Sequence, residues 1–154
     1  MRKFLIIFFM SMVPIGELRG AMLYAVGHNM DFLPALLVCV LGNMLPVPFI
    51  YFFARKVLTW GAEKKLIGKI CNLFLVKGEK AGQKLVKTTG RGGLFVALLL
   101  FVGIPLPGTG AWTGTLGASF LNMGFKTTVV SVCLGVILAG IIMAAGGTAV
   151  LSLF

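Results

Sequence analysis

The chain has 154 residues, 58% of them hydrophobic and only 12% charged, with a mean hydropathy of +1.03. Water-soluble domains carry about 25% charged residues, so this composition excludes an ordinary soluble domain and indicates one compact membrane domain. The net charge of +10 does not indicate nucleic acid: ten of the fourteen Lys and Arg residues lie between Arg55 and Arg91, and basic residues gathered between apolar spans mark a cytoplasmic segment.

Met1-Arg2-Lys3 and the apolar run Phe4–Val13 resemble the start of a signal peptide. The charges in Gly16-Glu17-Leu18-Arg19-Gly20 spoil a small-residue cleavage site, so the segment is expected to stay in the mature protein. A spanning helix needs about 20 residues, and Phe4–Val13 is only half that length. Pro14 and Gly16 break it, and Gly20–His28 reads as a second short helix. The two form a re-entrant hairpin, whose irregular backbone must be buried in protein or line a wet cavity.

Phe32–Ala54 follows, 23 residues without a charge, long enough to cross a bilayer with some tilt. Pro46 and Pro48 predict a kink or local unwinding near Asn43–Pro48, with Asn43 facing the protein interior. In the basic middle, Leu66, Ile67, Ile70, Leu73 and Phe74 recur at helical spacing among lysines, as in an amphipathic surface helix. Lys77, Lys80, Lys84 and Lys87 form a basic stripe suited to anionic lipid headgroups, or simply to marking topology.

The second half repeats the plan. Leu94–Ile104 is a short apolar helix, Pro105-Leu106-Pro107-Gly108 the break, Thr109–Leu121 the return helix, and Phe125–Phe154 contains the second spanning helix. The Gly16/Gly20 and Gly110/Gly114 pairs match, which sets Glu17 and Arg19 opposite Ala111 and Thr113. The expected fold is an all-α integral membrane protein: an inverted repeat of re-entrant hairpin plus transmembrane helix, with amphipathic cytoplasmic helices between. Its parts are repeat one (1–55), a connector (56–91) and repeat two (92–154). Each half makes one crossing, so the halves run in opposite directions and both termini lie outside. If the first short helix spans instead, the N-terminus moves inside. Two crossings enclose little space, so a homodimer or larger assembly is expected.

Broken helices in paired repeats point to a substrate site at the repeat interface. Glu17 and Arg19 are the only charges between Lys3 and Asp31, and ionisable residues at bilayer depth mark function by default. An interfacial ion pair is the plainer alternative. Burial favours the neutral form of Glu17 and Arg19 the charged form, the setting for a proton switch. Return helices starting at Gly16 and Gly108 turn unpaired N–H groups and the positive ends of their dipoles toward an anion. Arg19, Thr109, Gly110, Thr113, Thr115 and Asn43 complete the expected binding set, and Trp112 packs or walls it. Cys39, Cys71, Cys133 and His28 lack metal-ligand spacing. No catalytic constellation or cofactor motif is visible, so the expectation is a transporter and not an enzyme.

The strings Pro14-Ile15-Gly16-Glu17-Leu18-Arg19-Gly20-Ala21, Gly42-Asn43 and Pro105-Leu106-Pro107-Gly108-Thr109-Gly110-Ala111-Trp112-Thr113-Gly114 resemble the prokaryotic small multidrug export protein family, itself similar to the DedA superfamily that includes lipid scramblases. Gly16 stands where a larger apolar residue is expected, and Met22 where a proline is. The resemblance implies paired re-entrant hairpins in a prokaryotic cytoplasmic membrane. It also implies movement of membrane lipids or lipid-linked phosphate carriers, often with dependence on protons. The expected function is a flippase-like, proton-coupled transporter of an amphiphilic anion. An uncoupled scramblase, a small-molecule exporter and a non-transporting scaffold are the alternatives.

Overall fold

The computed structural model describes residues 2–14, 16–63, 68–106 and 109–151. Seven helices follow one another: α1 (Arg2–Met12), α2 (Glu17–Gly27), α3 (Phe32–Met44), α4 (Pro46–Ala62), α5 (Gly68–Gly103), α6 (Ala111–Phe120) and α7 (Phe125–Leu151), with no strand among the described residues. Two helical segments are long and apolar enough to cross a membrane, Phe32–Ala54 and Phe125–Gly147. Large apolar side chains such as Leu33, Leu41, Phe49 and Phe53 are exposed along the first, and the interior is rich in small residues such as Ala21, Ala25, Ala35, Ala111 and Ala118. A lipid-facing sheath around closely packed small residues is the membrane solution to helix association.

The proline pair acts more gently than the sequence suggests. Neither Pro46 nor Pro48 has an N–H to donate to the carbonyls of Gly42 and Met44, so helical hydrogen bonding lapses at Leu45. The Leu45 dihedrals stay helical (φ −59°, ψ −44°) and its own N–H still reaches the Leu41 carbonyl at 3.2 Å. α3 and α4 therefore run on as one span.

The basic middle is also less separate than expected. α4 continues past Ala54 to Ala62. α5 runs from the basic stripe into the second half, its helical path broken only at Gly90, where φ is +72° and ψ 176°. Glycine alone takes that conformation without strain. Lys64, Lys65, Leu66 and Ile67 lie outside the described residues, as do the side chains of Ile70, Cys71, Leu73, Phe74 and Lys77. Cys39 and Cys133 are free thiols.

Both short return helices end the same way. Asn29 (φ +50°) and Asn122 (φ +56°) hold the left-handed position after α2 and α6. Met30 N–H then reaches back to the Ala25 carbonyl, and Met123 N–H to the Ala118 carbonyl, each at 3.0 Å. This is a Schellman-type stop, in which asparagine stands in for glycine. Asn29-Met30-Asp31-Phe32 and Asn122-Met123-Gly124-Phe125 are a repeated string 93 residues apart. Burial keeps that spacing: Leu18, Ala21, Met22 and Ala25 in α2 match Ala111, Gly114, Thr115 and Ala118 in α6.

The halves interlock. α1 packs on α3, and α5 on α7, within each half. Across the halves α2 packs on α7, and α6 on α4. The intra-half crossings are made at glycines 93 residues apart. A Cβ on Gly42 would meet the Ser11 side chain and the Phe8 carbonyl, and one on Gly135 would lie 2.8 Å from both the Leu99 carbonyl and Val102 Cβ. Gly42→Ala and Gly135→Ala should each destabilise the fold by about 1–3 kcal/mol through overpacking. Gly117→Ala, which enters open space, should stabilise by up to about 1 kcal/mol through helix propensity. Thermal unfolding in detergent micelles checks the contrast.

Candidate functional site

α2 starts at Glu17 with Gly16 as its N-cap, close to the return-helix start read at Gly16 and three residues before the helical run read from Gly20. The turn is closed by Glu17 N–H to the Val13 carbonyl (2.9 Å) and Gly20 N–H to the Gly16 carbonyl (2.8 Å). Glu17 pays for this turn with a left-handed backbone, φ +43°, a conformation that is strained for a residue with a Cβ and is concentrated at functional positions. Gly16 is the residue before the helix, and a Cβ there would come 2.8 Å from the Met10 carbonyl.

From the first turn of α2, Glu17 and Arg19 take separate partners in the second half. The Glu17 carboxylate lies at the start of α6, beside Gly110 and within reach of the Trp112 backbone N–H. Trp112 is the second residue of α6, and its N–H is one that an N-cap side chain ordinarily satisfies. The N-cap of α6 is Gly110, which has no side chain, and a Cβ there would run into the Glu17 carboxylate. Glu17 thus caps α6 from the other half of the chain, with its charge at the positive end of the helix. Thr113 adds a local cap, its Oγ1 accepting the Gly110 N–H at 3.0 Å.

Arg19 serves the second break. Its guanidinium donates to the Leu106 carbonyl, to Thr109 Oγ1 at 2.8 Å and to the Ile104 carbonyl at 3.4 Å. The Thr109 hydroxyl is within 2.9 Å of the Ile104 and Leu106 carbonyls. These carbonyls follow the end of α5 and also accept the backbone N–H groups of Leu106 (2.8 Å) and Thr109 (3.1 Å), so Arg19 is a further donor to each. Trp112 returns the service: its indole N–H donates to the Met12 carbonyl, at the end of α1, at 3.1 Å. Each break is braced by a side chain from the other half.

The 93-residue register sharpens the comparison between halves. It sets Glu17 opposite Gly110 and Arg19 opposite Trp112, one position away from the alignment on glycine pairs. Arg19 and Trp112 are then matched braces, and Gly110 is the empty position that makes room for Glu17. The sequence reading had Trp112 packing or walling the site and did not foresee its indole N–H as a brace. A repeated Asn-Met-x-Phe string was the signal for the register.

Of the other expected binding residues, Asn43 is buried on α3 and borders a small cavity with Glu17, Arg19 and Gly110. Thr115 is buried in α6 with an unpartnered hydroxyl. Thr113 is exposed, and Gly108 lies outside the described residues. Lys80, Lys84 and Lys87 are exposed on α5, far along the helix from this cluster. The two return-helix N-termini meet, and the place expected for an external anion at the start of α6 is taken by the Glu17 carboxylate.

The fold and this cluster define an all-helical membrane protein with candidate membrane-crossing helices and a charged, cross-braced centre. A family model described as "Putative small multi-drug export protein" matches residues 17–142, and the chain belongs to that family. The match starts at Glu17 and covers both return helices, the first long span and most of the second. No curated protein and no solved structure matches the chain. The family's description suggests a transporter role in export.

Gly110→Ala should impair folding or activity through its overlap with Glu17. In a double-mutant cycle with Glu17→Ala the two changes should be less than additive, with a coupling of about 0.5–3 kcal/mol. Additive effects on unfolding would show that the two positions do not meet. Trp112→Phe, which keeps the ring and loses the donor, should cost about 0.5–1.5 kcal/mol in the same measurement.

Proposed function

We propose that this chain is a proton-coupled membrane transporter of amphiphilic anions, in which Glu17 is a resident anion that the substrate replaces. The observation that carries this reading is the Glu17 carboxylate on the α6 N-terminus, beside Arg19 and Thr109. Protonation removes the charge of Glu17 and with it the charge-assisted hydrogen bond to Trp112 N–H. The helix end and the guanidinium then have an anionic site to offer. One proton taken up per anion bound couples the two. The strained Glu17 backbone favours release once the carboxylate is neutral.

An apolar groove of about 520 Å³ runs between α2, α3 and α7, lined by Met22, Val26, Met30, Phe32 and Ile141 among others. Its methionines suit it to apolar bodies of varied shape, since Met side chains adapt to irregular partners. A lipid phosphate or an amphiphilic drug anion has both parts, a charged head for Arg19 and an apolar body for the groove.

The reading includes the inverted repeat. Reciprocal packing of α2 on α7 and α6 on α4, together with the 93-residue register, supports two hairpins entering a cytoplasmic membrane from opposite sides. In this arrangement the basic arm of α5 lies in the cytoplasm. Lys77, Lys80, Lys84 and Lys87 face lipid headgroups, and both termini lie outside. A second copy would complete the wall around the path.

The test is reconstitution in proteoliposomes with a fluorescent anionic lipid phosphate. A pH gradient should accelerate its movement between leaflets. Glu17→Gln should abolish the acceleration, and Arg19→Ala should weaken substrate binding by about tenfold or more, the worth of a lost hydrogen bond to a charged group. Transport that is unchanged in both variants would sink the roles assigned here. Gradient-independent movement that survives Glu17→Gln would make the protein a scramblase.

A further inference from the structure

Elements of both halves converge on a small, partly open cavity of about 10 Å³. Its walls come from α2, α3, α5, α7 and the start of α6; Val102, Val136 and Ala139 supply apolar surface, and Glu17, Arg19 and Asn43 are the polar side chains. Asn43 is only 2% exposed, and its Oδ1 has no hydrogen-bond partner among the described residues. A buried amide oxygen left this way bears its full desolvation cost. The space beside it is close to the smallest that holds one water molecule.

A water there would have two acceptors for its two protons, Asn43 Oδ1 and the Glu17 carboxylate. We propose that this cavity binds a single water bridging Asn43 and Glu17, and that protons reach and leave the Glu17 carboxyl through it. Asn43 suits the task because an amide oxygen holds the water without itself ionising. A bare cation is the poorer occupant: Arg19 and the positive end of α6 border the same space. Among the residues lining the cavity, Arg19 is the one charged group besides Glu17, and α3, α5, α6 and α7 contribute none. The inference rests on Glu17 as the proton-binding group of the proposed transporter. Its readouts need no substrate, so a failed transport assay and a failed water assay are separate results.

Two measurements decide it. A high-resolution structure in lipid should show density within hydrogen-bond distance of both Asn43 Oδ1 and Glu17; an empty cavity in a map that resolves other buried waters overturns the proposal. Infrared difference spectra on acidification should contain a carboxyl band that Glu17→Gln removes. Asn43→Leu, which fills the cavity, should slow hydrogen–deuterium exchange of that band by roughly tenfold or more, as loss of a positioned proton-transfer group does. Asn43→Ser leaves room for water and should exchange at the wild-type rate. Unchanged exchange in Asn43→Leu overturns the proposal, as does the absence of a Glu17 band at every pH that leaves the fold intact. A saturable sodium-dependent rise in unfolding temperature, lost in Asn43→Leu, overturns it in favour of a cation site.

Discussion

Backbone carbonyl and amide groups that reach the hydrocarbon depth of a bilayer must find partners within the protein, and the rest of this structure is arranged around that demand. Two helices, α1 and α5, end at a break in the chain just before a return helix. Their terminal carbonyls cannot be left to lipid. Arg19 answers for Ile104 and Leu106, and Trp112 for Met12. The start of α6 has the opposite need, an acceptor for its N–H groups, and Glu17 meets it. All three solutions come from across the chain, and accordingly α2 packs on α7 and α6 on α4 as well as on helices of their own halves.

Close approach makes the exchange possible. The side chains that brace the breaks are of ordinary reach, so the helices bearing them must sit near one another. Gly42 and Gly135 let α1 and α5 press onto the long spans, and Gly140, whose added Cβ would meet the Leu36 and Leu18 side chains, lets α2 and α3 close on α7. These glycine contacts therefore also hold the charged cluster together. Chemistry at Glu17 and packing at the glycines are two ends of one constraint.

Much of the fold was legible in the sequence. The apolar runs were too short or long enough to cross, and their lengths alone separated α1 from Phe32–Ala54. Proline and glycine located both breaks within a few residues. The left-handed turn at Glu17 was missed because nothing marks a glutamate for that backbone. The continuity of α5 was missed because Gly90 and the charges around it read as a boundary. At the site, Glu17, Arg19 and Thr109 were found as costly or polar groups in apolar surroundings. Their partners were not, since a carbonyl of Leu106 or an N–H of Trp112 has no signature of its own. The glycine pairs gave a register wrong by one position. The asparagine caps correct it, because a cap fixes where a helix ends and a glycine does not.

The brace from Trp112 to Met12 spans 100 residues of chain, and this separation sets a timetable for assembly. Ribosomes add about 5–20 residues per second, so α1 and its bare carbonyl exist for on the order of 5–20 s before their partner is made. Arg19 waits almost as long for Leu106, 87 residues on. Until then the first break lacks the brace that the second half supplies. The two breaks are completed together, late, and only once α6 has been made.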